Sequence, residues 1–405
     1  MVPPISKRAL ETPVSPHRVL VDLALELKAK GKDVISFHAG QPGFPPAREA
    51  IEELIKLLRE QTFSTCCYAP SRGYPRLREL IAEDIKKYGG IELDPLKQIV
   101  VTVGGAEALN IAVLTALNPG EKLLLFSPTY SVYWGLGTIH GVKIEVCRQE
   151  IDTEFQPDPE CVKEKLSDEK VKAVLFESPG NPTSRVIKED IAKLIVDLAY
   201  EKKKWVFYDQ AYRHIYYEGS HLWIQRYTGA DEVVVTIDSF SKDIAIPGFR
   251  LGYMFGPEEF IKHAGKLKGY ITISAPNISQ KIAMIYLEKG LKEKYLREVL
   301  PEYKKRRDAA YQALRKYLPE ARAIKPRAGM YLFPDISAYL EKTGLTDVEF
   351  ARRIAEEKYV VMLPGSAFHP GSNRYLRVTF VTEPPERIEE GIKRASEVVE
   401  KLEKR

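Results

Sequence analysis

Short runs of valine, isoleucine and leucine alternate with amphipathic segments along this chain, and they constrain its fold more than any other feature. Six runs predict strands: IVVTV (99–103), KLLLF (122–126), VKAVLF (171–176), WVFY (205–208), EVVVTI (232–237) and residues 251–255. Residues 107–117 and 188–202 between them have helical patterns. Strands that are apolar along their whole length are typical of a parallel sheet covered on both faces. The sequence therefore predicts an α/β fold with a mostly parallel central sheet flanked by helices.

The pattern changes beyond about residue 278. A long helix, polar on one side, is followed by a smaller α+β unit with predicted strands near Ala323 and Tyr375. A chain of 405 residues is too long for one simple core. We expect a large domain at 45–290 and a small domain formed by both chain ends, 1–44 and 291–405.

Charge and composition exclude several classes of protein. The net charge of +5 is a small excess spread over the chain, and without a long basic run it does not indicate a nucleic-acid binder. The short basic run at 304–307 is expected to be a solvated helix face. The first ten residues lack the apolar core of a signal peptide, and no apolar stretch is long enough to span a bilayer.

Cysteine usage bears on compartment and on metals. The four cysteines, Cys66, Cys67, Cys147 and Cys161, form no CxxC pair and have no metal-ligand spacing. We therefore expect a cytoplasmic protein with reduced thiols and no metal site. Sparse Asn, Gln, Cys and Met beside abundant Lys, Glu and Arg indicate a thermophilic source.

Polar residues follow four of the predicted strands, at the sheet edge where open α/β folds bind ligands. They are Gly104-Gly105-Ala106-Glu107, Asn181 within PGNPT, Asp209 with Tyr212, and Ser239-Phe240-Ser241-Lys242. GGAE lacks the third glycine of a dinucleotide site, and the chain has no GxxxxGK[ST] motif. A helix N-terminus that binds an anion, together with a lysine amine, suits an aldehyde cofactor that carries a phosphate and a pyridine ring.

With these residues the chain resembles the class I/II aminotransferases, enzymes of fold type I that depend on pyridoxal 5′-phosphate. The resemblance covers nearly the whole length. The stretches that carry it are Gly40-Gln41-Pro42, Tyr68-Ala69-Pro70 with Gly73, Gly104-Gly105, Pro128-Thr129-Tyr130, Asn181-Pro182-Thr183, Asp209 with Tyr212, SFSK with Arg250, and Leu376-Arg377-Val378. Each stretch is weak alone, but the ordered set is specific.

The resemblance implies a role for each matched residue at the cofactor. Lys242 is the Schiff-base lysine and the general base. The phosphate is held by Ser239, Ser241, Arg250 and the N–H groups at Gly105, Ala106 and Glu107. Asp209 pairs with the pyridine nitrogen, Asn181 and Tyr212 donate to the phenolate oxygen, and Tyr130 stacks on the ring.

The resemblance also implies how the substrate is bound. Arg377 clamps the α-carboxylate in a bidentate fork, with Gly40, Tyr130 and Asn181 beside it. Tyr68 reaches the phosphate from the neighbouring subunit, so the active unit is a homodimer. Since Gly40 and Arg377 come from opposite ends of the chain, the small domain is expected to close over the substrate.

The preferred substrate and the reaction class stay open at this stage. The expected reaction is ping-pong transfer between an L-amino acid and a 2-oxo acid, with aspartate and 2-oxoglutarate as the favoured pair. Relatives that are specific for aspartate use a basic residue to bind the distal carboxylate of the substrate, and Ala106 stands where some of them carry a lysine. His17, Arg18 or Arg72 could supply this positive charge instead. Phe37, Tyr68 and Tyr130 could equally form an aromatic or broad-specificity pocket. A β-lyase on the same fold and a non-catalytic cofactor-binding module are the other classes.

Overall fold

A computed structural model describes residues 3–12 and 16–403, except the side chains of residues 16–18, 63, 370 and 403. The strands are β1 (Ile35–Ser36), β2 (Ile99–Thr102), β3 (Lys122–Ser127), β4 (Lys143–Arg148), β5 (Val171–Glu177), β6 (Trp205–Asp209), β7 (Val234–Ser239), β8 (Gly252–Phe255), β9 (Tyr331–Leu332), β10 (Val360–Val361), β11 (Leu363–Pro364) and β12 (Leu376–Thr379). The α-helices are α1 (Lys7–Glu11), α2 (Pro16–Ala29), α3 (Arg48–Glu60), α4 (Thr62–Cys66), α5 (Pro75–Gly89), α6 (Gly104–Ala116), α7 (Ser131–His140), α8 (Pro159–Ser167), α9 (Glu189–Glu201), α10 (Ala230–Val233), α11 (Phe240–Asp243), α12 (Glu258–Ile271), α13 (Asn277–Glu288), α14 (Leu291–Tyr317), α15 (Ser337–Thr343), α16 (Asp347–Lys358) and α17 (Pro385–Glu403).

A seven-stranded sheet forms the centre of the molecule, with strand order β2-β8-β7-β6-β5-β3-β4. All neighbouring pairs are parallel except those made by β8, which is antiparallel to both β2 and β7. The interior strands are buried along nearly their whole length, and separate apolar clusters lie against the sheet. The predicted α/β fold with a mostly parallel sheet is confirmed.

The six predicted strands are all present, with shifted ends. The run at 232–237 begins late because residues 230–233 form the short helix α10. The predicted helix at 107–117 begins earlier, at Gly104. The strand β4 was not predicted: it lies at the sheet edge and alternates apolar with charged residues, so it lacks a continuous apolar run.

Both ends of the chain contribute to the remaining small sheets. Strand β1 pairs in parallel with β10, and β12 lies between β11 and β9. The strand predicted near Ala323 is wrong: residue 322 makes only an isolated bridge to Asp335, and the strand lies at β9. Pro326 between them cannot donate a ladder hydrogen bond. The long helix expected beyond residue 278 is two helices, α13 and α14, which are separated at Gly290 with a φ of +64°.

Two expectations about side chains are also wrong. Cys147 on β4 and Cys161 on α8 form a disulfide, whereas Cys66 and Cys67 are free and exposed. Adjacent secondary elements bring the pair together, which sequence spacing does not reveal. In the basic run 304–307, Arg306 and Arg307 are buried, and Arg307 donates to Glu218 and to the carbonyl of Pro326, both at 2.9 Å.

Among the described residues, no helix has the length and apolar character needed to cross a membrane.

Candidate active site

A cavity of about 290 Å³ opens at the carboxyl ends of strands β5, β6 and β7. It lies where the polar strand ends were expected to meet. Its lining consists of Gly40, Gly105, Ala106, Leu109, Tyr130, Tyr133, Glu177, Asn181, Asp209, Ala211, Tyr212, Ser239, Ser241, Lys242, Pro247, Arg250, Tyr331 and Arg377. Among the described residues, no three His, Cys, Asp or Glu side chains are grouped as a metal site.

One end of the cavity is a set of donors at the start of α6. Gly104 has a φ of +74°, and a Cβ built there would lie 2.6 Å from Nη2 of Arg250, so the guanidinium occupies the space that a side chain would fill. The hydroxyls of Ser239 and Ser241 lie 2.9 Å apart beside it. Backbone N–H groups at a helix start, an arginine and two hydroxyls form a donor set that suits a phosphate.

Glu107 was predicted to contribute its backbone N–H, and its carboxylate turns away from the cavity. Oε2 accepts from the N–H of Val103 at 2.6 Å and lies 3.7 Å from Nζ of the buried Lys268. The side chain thus reaches back to the N–H of Val103, the residue that precedes α6, and helps to fix the start of this helix. Gly105 and Ala106, but not Glu107, line the cavity.

Lys242 lies on the short helix α11, immediately after β7. Its Nζ donates to the carbonyl of Gly40 at 2.6 Å and lies 5.7 Å from the centre of the Tyr212 ring. Burial, together with the charges of Arg377 and Arg250, lowers the pKa of Lys242 to about 8, and the charge of Asp209 opposes this shift. An amine with this pKa has a substantial unprotonated fraction near pH 8, where an ordinary lysine is almost fully protonated, and the unprotonated form is the one that a nucleophile or general base requires.

Asp209 ends β6 and faces the same cavity. Its Oδ2 accepts from the hydroxyl of Tyr133 at 2.8 Å, and its Oδ1 accepts from the N–H of Ala211 at 3.1 Å. Burial raises the pKa of Asp209 to about 6, while the bond from Tyr133 opposes this shift. A bound cation beside this carboxylate would favour its ionised form. Tyr130 lines the cavity as expected and meets Tyr133 edge to face, with ring centroids 5.6 Å apart.

Arg377 is fully enclosed on β12. Nη1 donates to Oδ1 of Asn181 at 3.1 Å and Nη2 to the carbonyl of His38 at 2.6 Å, while Nε has no hydrogen-bond partner among the described residues. A Cβ at Gly40 would lie 3.6 Å from both terminal nitrogens of Arg377 and only 3.0 Å from the hydroxyl of Tyr331, so a side chain at this position would crowd Tyr331 beside the guanidinium. The described residues give this guanidinium neutral acceptors but no carboxylate partner, so a guanidinium that faces the cavity in this way suits a carboxylate ligand.

Tyr212 lies in the cavity, and its hydroxyl is 2.7 Å from that of Tyr331. The Tyr331 ring lies beneath the Arg377 guanidinium, at 4.6 Å from its centroid. Tyr331 therefore touches both a residue predicted to bind cofactor and the one predicted to bind substrate.

Tyr68 is the one predicted site residue that lies well outside the cavity. It is 83% exposed and borders a surface depression formed by residues 65–68 and 274–278. Three residues could supply a positive charge for a distal substrate carboxylate. Of these, Arg72 donates to the carbonyl of Lys97 at 2.8 Å and does not line the cavity. The side chains of His17 and Arg18 lie outside the described part of the chain.

Three polar residues of the cavity were not predicted from the sequence: Tyr133, Glu177 and Tyr331. Tyr133 lies one helical turn after Tyr130. Glu177 ends a strand, as Asp209 does, so its position at a strand end could have identified it. Tyr331 had no signal, because its strand was not predicted.

The residues present fit a phosphorylated pyridine aldehyde. The anion-binding set at α6, the carboxylate of Asp209 and the amine of Lys242 all face one cavity, and each matches one functional group of such a cofactor. Bound there, the cofactor would be held at its phosphate by the α6 set and at its ring by Asp209 and Tyr130.

Comparison with known proteins gives matches along most of the chain. The family model described as "Aminotransferase class I and II" matches residues 32–394. A probable aspartate/prephenate aminotransferase of Aquifex aeolicus is 34% identical over 402 residues, which cover 98% of this chain and 99% of that protein. An aromatic-amino-acid aminotransferase of Thermococcus litoralis is 30% identical over 385 residues, 94% of this chain and 95% of that one.

A solved structure has a closely similar fold. Aspartate aminotransferase from Thermus thermophilus with maleate superposes with a TM-score of 0.90 at 27% identity, covering 98% of this chain and 100% of that one.

Proposed function

Because the chain belongs to the class I and II aminotransferases, we propose that its cavity moves the amino group of aspartate to 2-oxoglutarate. The enzyme is a pyridoxal 5′-phosphate-dependent aminotransferase that works between an L-amino acid and a 2-oxo acid in two ping-pong half-reactions. The single observation that carries the site assignment is the convergence of Lys242, Asp209 and Arg377 on one cavity.

In this proposal the cofactor is held by residues of the large domain. Arg250, Ser239, Ser241 and the start of α6 bind its phosphate, Asp209 binds its ring nitrogen, and Asn181 with Tyr212 bind its phenolate oxygen. Tyr130 stacks on the ring. When bound, pyridoxal phosphate supplies an aldehyde that joins an amine and a ring that accepts electrons from the α-carbon.

The chain's own residues then bind the substrate and move the proton. Arg377 binds the α-carboxylate, with Gly40 leaving room for it and Asn181 bonded to its Nη1. The amine of Lys242, once free, takes the proton from the α-carbon of the substrate. Nζ then holds this proton and gives it up again in the next step of the amino-group transfer. The low pKa of this amine, about 8, supports the role.

The choice of aspartate rests on relatives. The Aquifex protein is named for aspartate and prephenate, and the Thermus structure contains maleate, a dicarboxylate. A second candidate, an aromatic or broad-specificity enzyme, is favoured by the tyrosines that line the cavity (Tyr130, Tyr133, Tyr212 and Tyr331) and by the name of the Thermococcus relative.

The half-reaction with a panel of amino acids separates these candidates. Holoenzyme is mixed with excess aspartate, glutamate, phenylalanine or tyrosine, and the loss of cofactor absorbance is followed in single turnovers. We expect aspartate to have the highest specificity constant. A higher constant for the aromatic amino acids would favour the second candidate, and release of ammonia without a stable amino form would indicate a lyase.

We also propose that the active unit is a homodimer in which Tyr68 completes the partner's site. Tyr68 is exposed and borders the same surface depression as the exposed Ile278. Tyr270, which is 95% exposed, and the exposed Ile273 lie just before this depression in the sequence. Exposed apolar patches of this kind are typical of subunit interfaces.

Hybrid dimers test this proposal. Lys242→Ala and Tyr68→Ala subunits are each impaired alone, but a hybrid has one site with both residues intact if Tyr68 acts across the interface. Activity that reappears on mixing and refolding supports the proposal. Activity equal to the sum of the parents would mean that Tyr68 serves its own subunit.

The domain division at 45–290, with 1–44 and 291–405 as the small domain, is likewise a proposal. The parallel pairing of β1 with β10 supports it, as does the boundary at Gly290. We further propose a cytoplasmic location. The exposed thiols of Cys66 and Cys67 support it, and the Cys147–Cys161 disulfide is compatible with it in the thermophilic source that the composition indicates, because intracellular proteins of hyperthermophiles often contain disulfides.

A further inference from the structure

Glu177 is a second buried carboxylate beside Asp209 that the proposed roles leave unused. The two residues are paired in register at the carboxyl ends of the parallel strands β5 and β6, and both line the cavity. Only 5% of Glu177 and 9% of Asp209 is exposed. Directly paired residues of parallel strands project to the same face of a sheet, so the carboxyl groups lie side by side.

Separate donors hold the two carboxyl groups. Oε2 of Glu177 accepts from the hydroxyl of Thr129 at 2.7 Å, whereas Oδ2 of Asp209 accepts from Tyr133 at 2.8 Å. Each acid is therefore fixed in place without a bond to the other. Because the two carboxyl groups are neighbours but are not hydrogen-bonded to each other, they interact directly through their charges.

A buried guanidinium lies behind Glu177. Arg185 is 6% exposed, and its Nη2 donates to the backbone carbonyl of Glu177 at 2.8 Å. Its Nε and Nη1 have no hydrogen-bond partner among the described residues. A buried charge is costly unless an opposite charge is near, and the Glu177 carboxyl is the opposite charge that acts most strongly on Arg185.

We propose that Glu177 is a positioning residue that acts through Asp209: with Arg185 behind it, its charge sets the negative potential that Asp209 presents to the cofactor ring. This inference rests on the proposed role of Asp209. Burial and the neighbouring Asp209 raise the pKa of Glu177 to about 7 in the cofactor-free chain, whereas Arg185 and the bond from Thr129 lower it. A cationic ring in the cavity would shift Glu177 towards its ionised form.

The proton on Lys242 Nζ in the holoenzyme reports this potential. When the lysine is joined to the cofactor, loss of that proton changes the cofactor absorbance, so its pH midpoint can be titrated. A negative charge nearby stabilises the protonated form and raises the midpoint, and a positive charge lowers it.

The test compares two variants of opposite sign. Glu177→Gln removes the negative charge and keeps an acceptor for Thr129, so the midpoint should fall by about one pH unit. Arg185→Gln removes the positive charge while the cationic ring keeps Glu177 ionised, so the midpoint should rise by a similar amount. Cofactor dissociation constants from equilibrium dialysis should change in parallel, about tenfold weaker for Glu177→Gln. Asp347→Asn, which changes a buried acid away from the cavity, should leave the midpoint unchanged.

An unchanged midpoint in folded, cofactor-binding Glu177→Gln would overturn the inference, as would shifts of the same sign in both variants. If Glu177→Gln does not fold, Arg185→Gln decides alone, since no upward shift there contradicts the account. Asp209→Asn distinguishes a failure of the proposed role of Glu177 from a failure of the proposed site assignment. If it lowers the midpoint and Glu177→Gln does not, only the role of Glu177 fails. If Asp209→Asn has no effect, the proposed site assignment fails.

Discussion

Arg377 donates a hydrogen bond from Nη1 to Oδ1 of Asn181 at 3.1 Å, across 196 positions of the sequence. This bond joins the residue proposed to bind the substrate carboxylate to one proposed to bind the cofactor. Because Asn181 takes up one terminal nitrogen, the fork of Arg377 is already oriented before substrate arrives. A fixed fork lowers the entropy lost on binding a carboxylate.

Arg377→Lys should keep cofactor absorbance but weaken amino acids and 2-oxo acids alike. Lysine offers a point charge and loses one of two parallel hydrogen bonds to the carboxylate. A charged hydrogen bond contributes about 1.5–3 kcal/mol, so the specificity constant should fall about 10- to 150-fold. The check is single-turnover reaction with aspartate, an aromatic amino acid and an amine without a carboxylate. Equal losses for all three would mean that Arg377 only supports the fold.

Tyr133→Phe should raise the pKa of Asp209, because the bond to its ionised form is lost. We expect weaker cofactor binding and a rate at least about tenfold lower, in line with a hydrogen bond to a charged group. Tyr208→Phe is the matched control: its hydroxyl donates to the carbonyl of Leu222 at 3.0 Å, away from the cavity. Equal turnover by both variants would show that Tyr133 does not support Asp209.

Capture of cofactor by the cofactor-free protein should depend on pH through Lys242. Its pKa of about 8 lies below the ordinary 10.5, so the protonated, non-nucleophilic form predominates only below pH 8. The rate of capture should therefore rise with pH and level off above about 8. Stopped-flow absorbance measures this rate between pH 6 and 11, in steps of about half a pH unit. A rate that keeps rising towards 10.5 would contradict the depressed pKa.

Loss of the Cys147–Cys161 disulfide should lower the free energy of unfolding. The bond closes a loop with a sequence separation of 14 residues, for which chain entropy gives about 3 kcal/mol. Denaturant titration of the double variant Cys147→Ala/Cys161→Ala measures the change. The double variant Cys66→Ser/Cys67→Ser alters free, exposed thiols and should differ little from the parent. Equal losses in both would argue against a stabilising cross-link.

Much of the fold could be predicted because the central strands are buried on both faces and so carry continuous apolar runs. Elements without that burial gave no such signal: β4 is an edge strand, and β9 is two residues long. The Cys147–Cys161 bond depends on β4 and α8 lying together, which is tertiary information. Arg307 appeared solvated because its partners, Glu218 and Pro326, are distant in sequence or outside its helix.

The candidate site was predictable where polar residues follow apolar strands, as with Asp209 and Lys242. Arg377 could be recognised as a guanidinium within a strand. Tyr133 could not, because a tyrosine on a helix is most often part of a core, and only the fold turns its hydroxyl towards Asp209. Tyr331 reaches Tyr212 across 119 positions, a contact that no local pattern encodes.

Transfer of labelled nitrogen tests the central claim most directly. The holoenzyme is incubated with ¹⁵N-aspartate and unlabelled 2-oxoglutarate, and the ¹⁵N content of glutamate is measured by mass spectrometry. The account predicts ¹⁵N-glutamate from the parent protein, and none from a Lys242→Ala variant that is folded and still binds cofactor. Lys204→Ala, which changes a buried lysine outside the cavity, should transfer label like the parent. Normal ¹⁵N transfer by Lys242→Ala would contradict the account.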